Sequence, residues 1–304
     1  MKWEISIRGY RSWILLERGL SKQTAMSYLS DLQYFYDYLN ESGVSCTPMQ
    51  VTREVLEKFL DSLSGADYSR ATQSRMISSL RSYYSYLIIE NLLDKNPAKL
   101  IDLPTVGRHL PDVLSVEEIN RILMAVDLSK LHGERDKAIL ETLYGCGLRV
   151  SELTELTLSS LCFKEEYLRI IGKGNKERLV PMGTQTAKQL LRYIHMARIH
   201  QTISPGFEDS VFLNHHGKKL SRVAIFSMVK KYTLQAGITK NVSPHSFRHS
   251  FASHLIEGGA DLRAVQQMLG HSSITTTEIY THVSNRYLRD SLLTFHPLES
   301  SHEL

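Results

Sequence analysis

The chain has little of what would mark several protein classes. Its three cysteines, Cys46, Cys146 and Cys162, lie far apart among 304 residues. That spacing fits neither a disulfide framework nor a zinc site, and it points to a reducing, cytoplasmic setting. No run of about 18 apolar residues is present, so no membrane span is expected. Met1-Lys2-Trp3-Glu4 opens without the apolar stretch of a signal peptide. There is no internal repeat and no low-complexity tract. Neither sign of charge dominates: 36 basic and 32 acidic side chains leave +4, which permits a polyanionic partner without naming one. Three catalytic signatures are also missing. Without Gly-x-x-x-x-Gly-Lys-[Ser/Thr], Gly-x-Ser-x-Gly or His-Glu-x-x-His, a nucleotide P-loop, a serine-hydrolase elbow and a zinc protease helix are not expected.

What is present is an ordinary globular composition, 42% hydrophobic and 22% charged, in a chain long enough for about two domains. The boundary reads from Asp102-Leu103-Pro104 to Leu110-Pro111, where two prolines and a glycine discourage both helix and central strand. This gives an N-terminal domain over 1–103, a linker over 104–112 and a C-terminal domain over 113–304. Residues 1–106 carry 12 basic and 12 acidic side chains, so the whole excess of +4 falls beyond them. The first domain reads as all helical: Ser21 caps a helix continuing through Leu39, a second covers about 52–63, and a third about 70–91. The third carries Arg70, Arg75 and Arg81 among small hydroxyl and amide residues, a set suited to phosphate and groove contacts.

The second domain reads as mainly α with a small antiparallel sheet. Ser115-Val116-Glu117-Glu118 is a capping box. A helix over about 135–144 ends at Gly145 and Gly147, and another begins near Val150. Tyr167 to Ile171 and Arg178 to Met182 form a hairpin about Gly172-Lys173-Gly174-Asn175-Lys176, and Val211-Phe212-Leu213 is a candidate further strand. Helices are expected at about 184–200, 222–236, 244–257, 261–269, 274–281 and 284–294.

The chemistry-bearing residues lie mostly in this domain. Ser243-Pro244 starts a helix whose first turns hold His245 and Arg248, three apart and so on one face; backbone N–H groups and the helix dipole favour an anion there. Arg149 enters the helix Val150-Ser151-Glu152-Leu153, with Glu152 placed to orient it. Lys173 occupies the hairpin tip, within reach of a substrate. Gly270-His271 ends a helix, and Tyr280 follows nine residues after His271. Each alone also fits a plain structural role. His245, His249, His254 and His271 would be the start of a metal site, but no acidic residue shares that helix turn.

In the order Arg149, Lys173, His245-x-x-Arg248, His271, Tyr280, with their flanking segments, the chain resembles the tyrosine recombinase (λ-integrase-like) family, most closely its bacterial Xer (XerC/XerD-type) members. The segments that carry it are Gly147-Leu148-Arg149-Val150-Ser151-Glu152-Leu153, Gly172-Lys173-Gly174-Asn175-Lys176-Glu177-Arg178, Pro244-His245-Ser246-Phe247-Arg248-His249, and Leu269-Gly270-His271 through Ile279-Tyr280. The likeness spans essentially the whole chain. It implies a two-domain DNA clamp, with a SAM-like helical core-binding domain and a catalytic domain. It implies site-specific recombination: Tyr280 as nucleophile, Arg149 and Arg248 on the phosphate oxygens, His271 donating a hydrogen bond, His245 accepting the tyrosine proton, and Lys173 protonating the leaving oxygen. Neither metal, ATP nor any other cofactor is expected. The partners it implies are a double-stranded recombination site, three further protomers on two duplexes (identical or related), and an FtsK-type DNA translocase. Arg70, Arg75 and Arg81 would contact DNA. Tyr287, Leu288, Leu292, Leu293 and Phe295 would anchor the tail on a neighbouring protomer, although Leu298-Glu299 follows Pro297 where the family usually has a basic residue. Chromosome dimer resolution is the role expected; an integrase or transposase of a mobile element is the alternative.

Overall fold

Residues 2–102, 113–172, 177–270 and 285–300 are described by the structure, a computed structural model. The chain divides into two compact units, Met1–His109 and Leu110–Leu304. The predicted helix at 274–281 lies outside the described residues.

In the first unit, α1 (Trp3–Leu16), α2 (Lys22–Glu41), α3 (Arg53–Gly65) and α4 (Arg70–Ile89) enclose an aromatic-rich core. Ser21 and Ser69 cap α2 and α4, accepting from the N–H groups of Thr24 and Thr72. The last turn of α4 gives way to Asn91 in the left-handed region, φ 56°, a conformation asparagine tolerates. The ring of Trp3 meets Phe35, Tyr36 and Tyr83 at centroid separations of 5.5–6.0 Å, and Phe35 meets Phe59 at 4.9 Å. Such contacts pin α1 and α3 against α2 and α4. The three arginines of α4 have different surroundings. Arg75 pairs with the buried Asp31 of α2 and donates to Ser27 Oγ at 3.0 Å. Arg81 donates from Nε to the Ala98 carbonyl at 3.0 Å and from Nη2 to that of Ile101, fastening the segment after α4. Arg70 stands at the exposed first turn.

The second unit is built around α6 (Gly133–Gly145), which is buried on nearly every side. It packs against α5 (Val116–Met124), α7 (Val150–Thr154), α8 (Thr184–Met196) and α10 (Pro244–Gly258). Ser115 and Glu118 exchange reciprocal hydrogen bonds of 2.8 and 3.2 Å at the start of α5. Beside the helices lies an antiparallel sheet in the order β1 (Leu161–Cys162), β2 (Tyr167–Ile171), β3 (Glu177–Pro181). Ile170 pairs with Arg178 and Ile171 with Glu177. Val211-Phe212-Leu213 is not a strand. It is buried, but makes only the single bridges Thr157–Ser210 and Leu213–Lys219 at its margins. The predicted helix over 184–200 stops at Met196 and continues as a 3₁₀ turn, Arg198–His200.

α9 (Arg222–Gln235), α11 (Leu262–Leu269), α12 (Asn285–Phe295) and α13 (Pro297–Ser300) complete the unit. Two of the five tail residues expected to anchor on a neighbour, Leu288 and Leu292 of α12, are each 1% exposed and fill the core of their own unit. His296 is buried against Tyr144 and Phe251, at centroid distances of 4.7 and 5.4 Å. Burial lowers its pKa to about 3, so it sits there as neutral imidazole. The Glu299 carboxylate accepts from the backbone N–H groups of Thr184 and Gln185 at 3.0 and 3.2 Å. It thereby caps α8 with the charge sign its dipole favours.

Candidate active site

Three segments distant in sequence meet at one buried carboxylate. α6 ends at Gly145, and Gly147 then turns the chain at φ +58°. A Cβ there would lie 2.4 Å from the Phe251 ring, so the backbone conformation and the close approach of α10 both require glycine. The turn delivers Arg149 to the start of α7. Its backbone N–H donates to Glu152 Oε2 and its Nη1 to Glu152 Oε1, each at 2.8 Å. The orienting contact expected between these two residues is therefore present. Arg149 Nη2 also reaches the Gly270 carbonyl at 3.4 Å.

From β3, Arg178 grips the same carboxylate with both terminal nitrogens, at 2.8 and 3.0 Å, and donates from Nε to the Met268 carbonyl at 3.1 Å. From α10, Arg248 donates to the carbonyls of Gly147 at 2.7 Å and Leu269 at 2.6 Å. Its Nη1 lies 3.8 Å from Glu152 Oε2. Gly270 caps α11 at φ +65°, and a side chain there would crowd Arg178, whose Nε lies 2.9 Å from the position of a Cβ.

The electrostatics follow from this crowding. Burial pulls the Arg248 guanidinium down to about 10, with the neighbouring charge of Arg149 adding to the effect and Glu152 opposing it; it remains protonated at neutral pH. Burial pushes Glu152 up, but hydrogen bonds from Arg178 and Arg149 outweigh it and leave the carboxyl below its usual range. Three guanidiniums around one carboxylate carry a formal +2. A surplus of that sign suits a phosphate-like anion.

Of the six residues singled out in the sequence, the structure brings Arg149 and Arg248 together here. His245 is exposed in the first turn of α10, one turn before Arg248. Pro244 occupies the first helical position, and the backbone N–H of Ser243 donates to Ser246 Oγ at 3.1 Å. Lys173, His271 and Tyr280 lie outside the described residues, although β3 and Gly270, which flank the first two, both touch the cluster. Sequence reasoning left Arg178 aside: its partner Glu152 lies 26 residues away and is already matched with Arg149 in the sequence. His254 is a core residue: its Nδ1 and the Tyr144 hydroxyl share a 2.8 Å hydrogen bond.

Three guanidiniums thus share one buried carboxylate on a mainly helical unit that follows a separate helical unit. Residues 112–286 match the phage integrase family, and residues 7–91 match the phage integrase N-terminal SAM-like domain. A tyrosine recombinase XerD of Staphylococcus aureus (strain Mu50) is 42% identical over 294 residues, covering 97% of this chain and 99% of that protein. The fold recurs in XerH site-specific recombinase bound to difH substrate, with TM-score 0.67 and 24% identity over 88% of this chain and 78% of that one. It recurs also in a lambda integrase dimer bound to a COC' core site, with TM-score 0.70 and 18% identity over 93% of this chain and 100% of that one. The chain belongs to the phage integrase family: it is a site-specific tyrosine recombinase of the Xer type, an enzyme that cuts and rejoins DNA.

Proposed function

We propose that this recombinase resolves chromosome dimers in the cytoplasm, through a covalent 3′-phosphotyrosine made by Tyr280. The observation that carries the chemical part is the convergence of Arg149 and Arg248 on one buried carboxylate, in a cluster with a positive surplus. The Tyr280 phenolic oxygen forms a bond to phosphorus while the P–O5′ bond breaks. His245 takes the phenolic proton and Lys173 supplies one to the departing 5′-oxygen. Negative charge gathers on the non-bridging oxygens, where Arg149, Arg248 and a hydrogen bond from His271 stabilise it. The ester keeps the energy of the broken bond, so the reverse attack by a 5′-hydroxyl reseals DNA without ATP.

The biological part is supported by the XerD relative, 42% identical along nearly its whole length. Strand exchange joins two duplexes, so four protomers act together, either identical or with a related recombinase, and an FtsK-type translocase brings the sites together. DNA contacts from the first unit would include Arg70, with Arg75 and Arg81 contributing once their internal partners are shared with phosphate. Binding of this kind weakens steeply with salt.

The chemical reading is tested with a nicked suicide duplex. Tyr280→Phe is expected to bind the duplex and form no covalent adduct; an adduct trapped by that variant rejects the assignment. The biological reading is tested by trapping adducts on the recombination sequence of the host chromosome terminus and on mobile-element ends. Preference for the latter would assign the chain to a mobile element.

A further inference from the structure

The three arginines around Glu152 are not equivalent. Every guanidinium nitrogen of Arg178 bonds within the protein: Nη1 and Nη2 to Glu152, Nε to the Met268 carbonyl. Its side chain is 14% exposed, against 34% for that of Arg149. Arg149 is the outermost of the three; Arg248, 9% exposed, is the most buried, yet it is Arg178 that holds Glu152. A carboxylate offers about four acceptor positions. Here two go to Arg178, one to the Arg149 backbone and one to Arg149 Nη1. Glu152 is thus saturated, and Arg248, whose Nη1 stands 3.8 Å away, bonds to main-chain carbonyls instead.

We propose that Arg178 is a positioning residue for DNA cleavage: by occupying Glu152 it keeps the guanidiniums of Arg149 and Arg248 available to the scissile phosphate. This rests on the preceding assignment of those two arginines as phosphate ligands. Without Arg178, two acceptor positions of a buried carboxylate open beside them. The cluster falls from a formal +2 to +1. Arg248 Nη1 and the remaining donors of Arg149 are the nearest groups able to fill the openings, and each that does so turns away from DNA. The strand bearing Arg178 also loses a hydrogen bond to the end of α11.

The test measures single-turnover adduct formation on a nicked suicide duplex at saturating enzyme, together with duplex affinity, for Arg178→Ala, Arg178→Lys, Arg149→Ala and the double variant Arg149→Ala/Arg178→Ala. Misplacing a reacting contact by about 1 Å costs on the order of 100-fold in rate. Arg178→Ala is expected to slow cleavage by about that factor while duplex affinity changes only a few-fold. Arg178→Lys keeps the charge without the two-pronged grip, and is expected to recover only part of the rate. The decisive readout is coupling: if Arg178 acts through Arg149, removing it from an Arg149→Ala enzyme costs little further rate, whereas a general loss of fold multiplies. Should Arg178→Ala not bind DNA, Arg178→Lys takes its place in the same cycle. Wild-type cleavage by Arg178→Ala, or a fully multiplicative loss in the double variant, overturns the proposal. Wild-type cleavage by Arg149→Ala instead overturns the reading on which it rests.

Discussion

Replacing Glu152 with glutamine is the most direct physical test of the arginine cluster. The side chain keeps its shape and loses its charge. Each carboxylate oxygen accepts from two donors, one on Arg149 and one on Arg178. Whichever way the amide turns, its NH₂ group faces two donors that have lost their acceptor. Breaking a buried ion pair by removing one partner costs about 3–5 kcal/mol, and the mutual repulsion of three guanidiniums adds in the same direction. For a unit of this size each kcal/mol shifts Tm by roughly 2–4 °C, so the Glu152→Gln transition is expected about 10 °C below wild type at pH 7. The pH dependence has a definite sign. The folded-state carboxyl of Glu152 titrates below its usual range, so its stabilisation is complete above the unfolded value and disappears as pH falls through the folded one. Calorimetric melts between pH 7 and pH 3 are therefore expected to show the two proteins converging as acid is added. Equal melting temperatures at pH 7, or a gap that stays constant down to pH 3, would refute the idea that this carboxylate holds the guanidiniums.

Two other perturbations probe the scaffold. Burial raises Glu141 of α6 to about 7, with Lys137 opposing and Glu134 adding to the shift, so the folded state binds its proton more tightly than the unfolded chain and loses stability as pH rises from about 4.5 to 7. Glu141→Gln is expected to match wild type near pH 5 and to melt higher at pH 8, with a gain of up to about 3 kcal/mol; identical melts at both pH values would show that the group is not held away from water. Gly147→Ala places a methyl 2.4 Å from the Phe251 ring at φ +58°. It is expected to cost about 1–3 kcal/mol in thermal stability and to slow adduct formation by displacing the carbonyl that holds Arg248, whereas unchanged melting and cleavage would mean the turn relaxes freely.

Much of the scaffold was legible because local chemistry dictated it. Ser21 and the Ser115/Glu118 pair announce helix starts through hydrogen bonds made within one turn, and the hairpin is marked by β-branched and aliphatic runs about a glycine-rich tip. What escaped depended on distance. Arg178 and Glu152 are 26 residues apart, and nothing local says that one will hold the other. Arg81, expected to contact DNA, also fastens the backbone of Ala98 and Ile101, 17 and 20 residues further on. Val211-Phe212-Leu213 has the composition of a strand, yet its pairing stops at single bridges, while Leu161-Cys162, too short to notice, completes the sheet. Trp3–Leu16 was not marked as a helix of its own, because its aromatic stripe becomes intelligible only against α2 and α4. The apolar residues of α12 were recognisable as a docking face; which molecule supplies the dock was not written in their spacing.

The position of α12 near the end of the chain bears on how the protein is made. Domains form largely as units during synthesis, the earlier one first. The helices of the first unit are all translated before the second begins, and their core needs nothing downstream. The second unit is different: β3, α10 and α11 share a core with Leu288 and Leu292 of α12, which are translated after all three. Until those leucines emerge on the nascent chain, that half of the enzyme has an unfinished interior and is exposed to chaperones and proteases, so ribosomes that stall short of α12 would release a product marked for degradation rather than a smaller working nuclease.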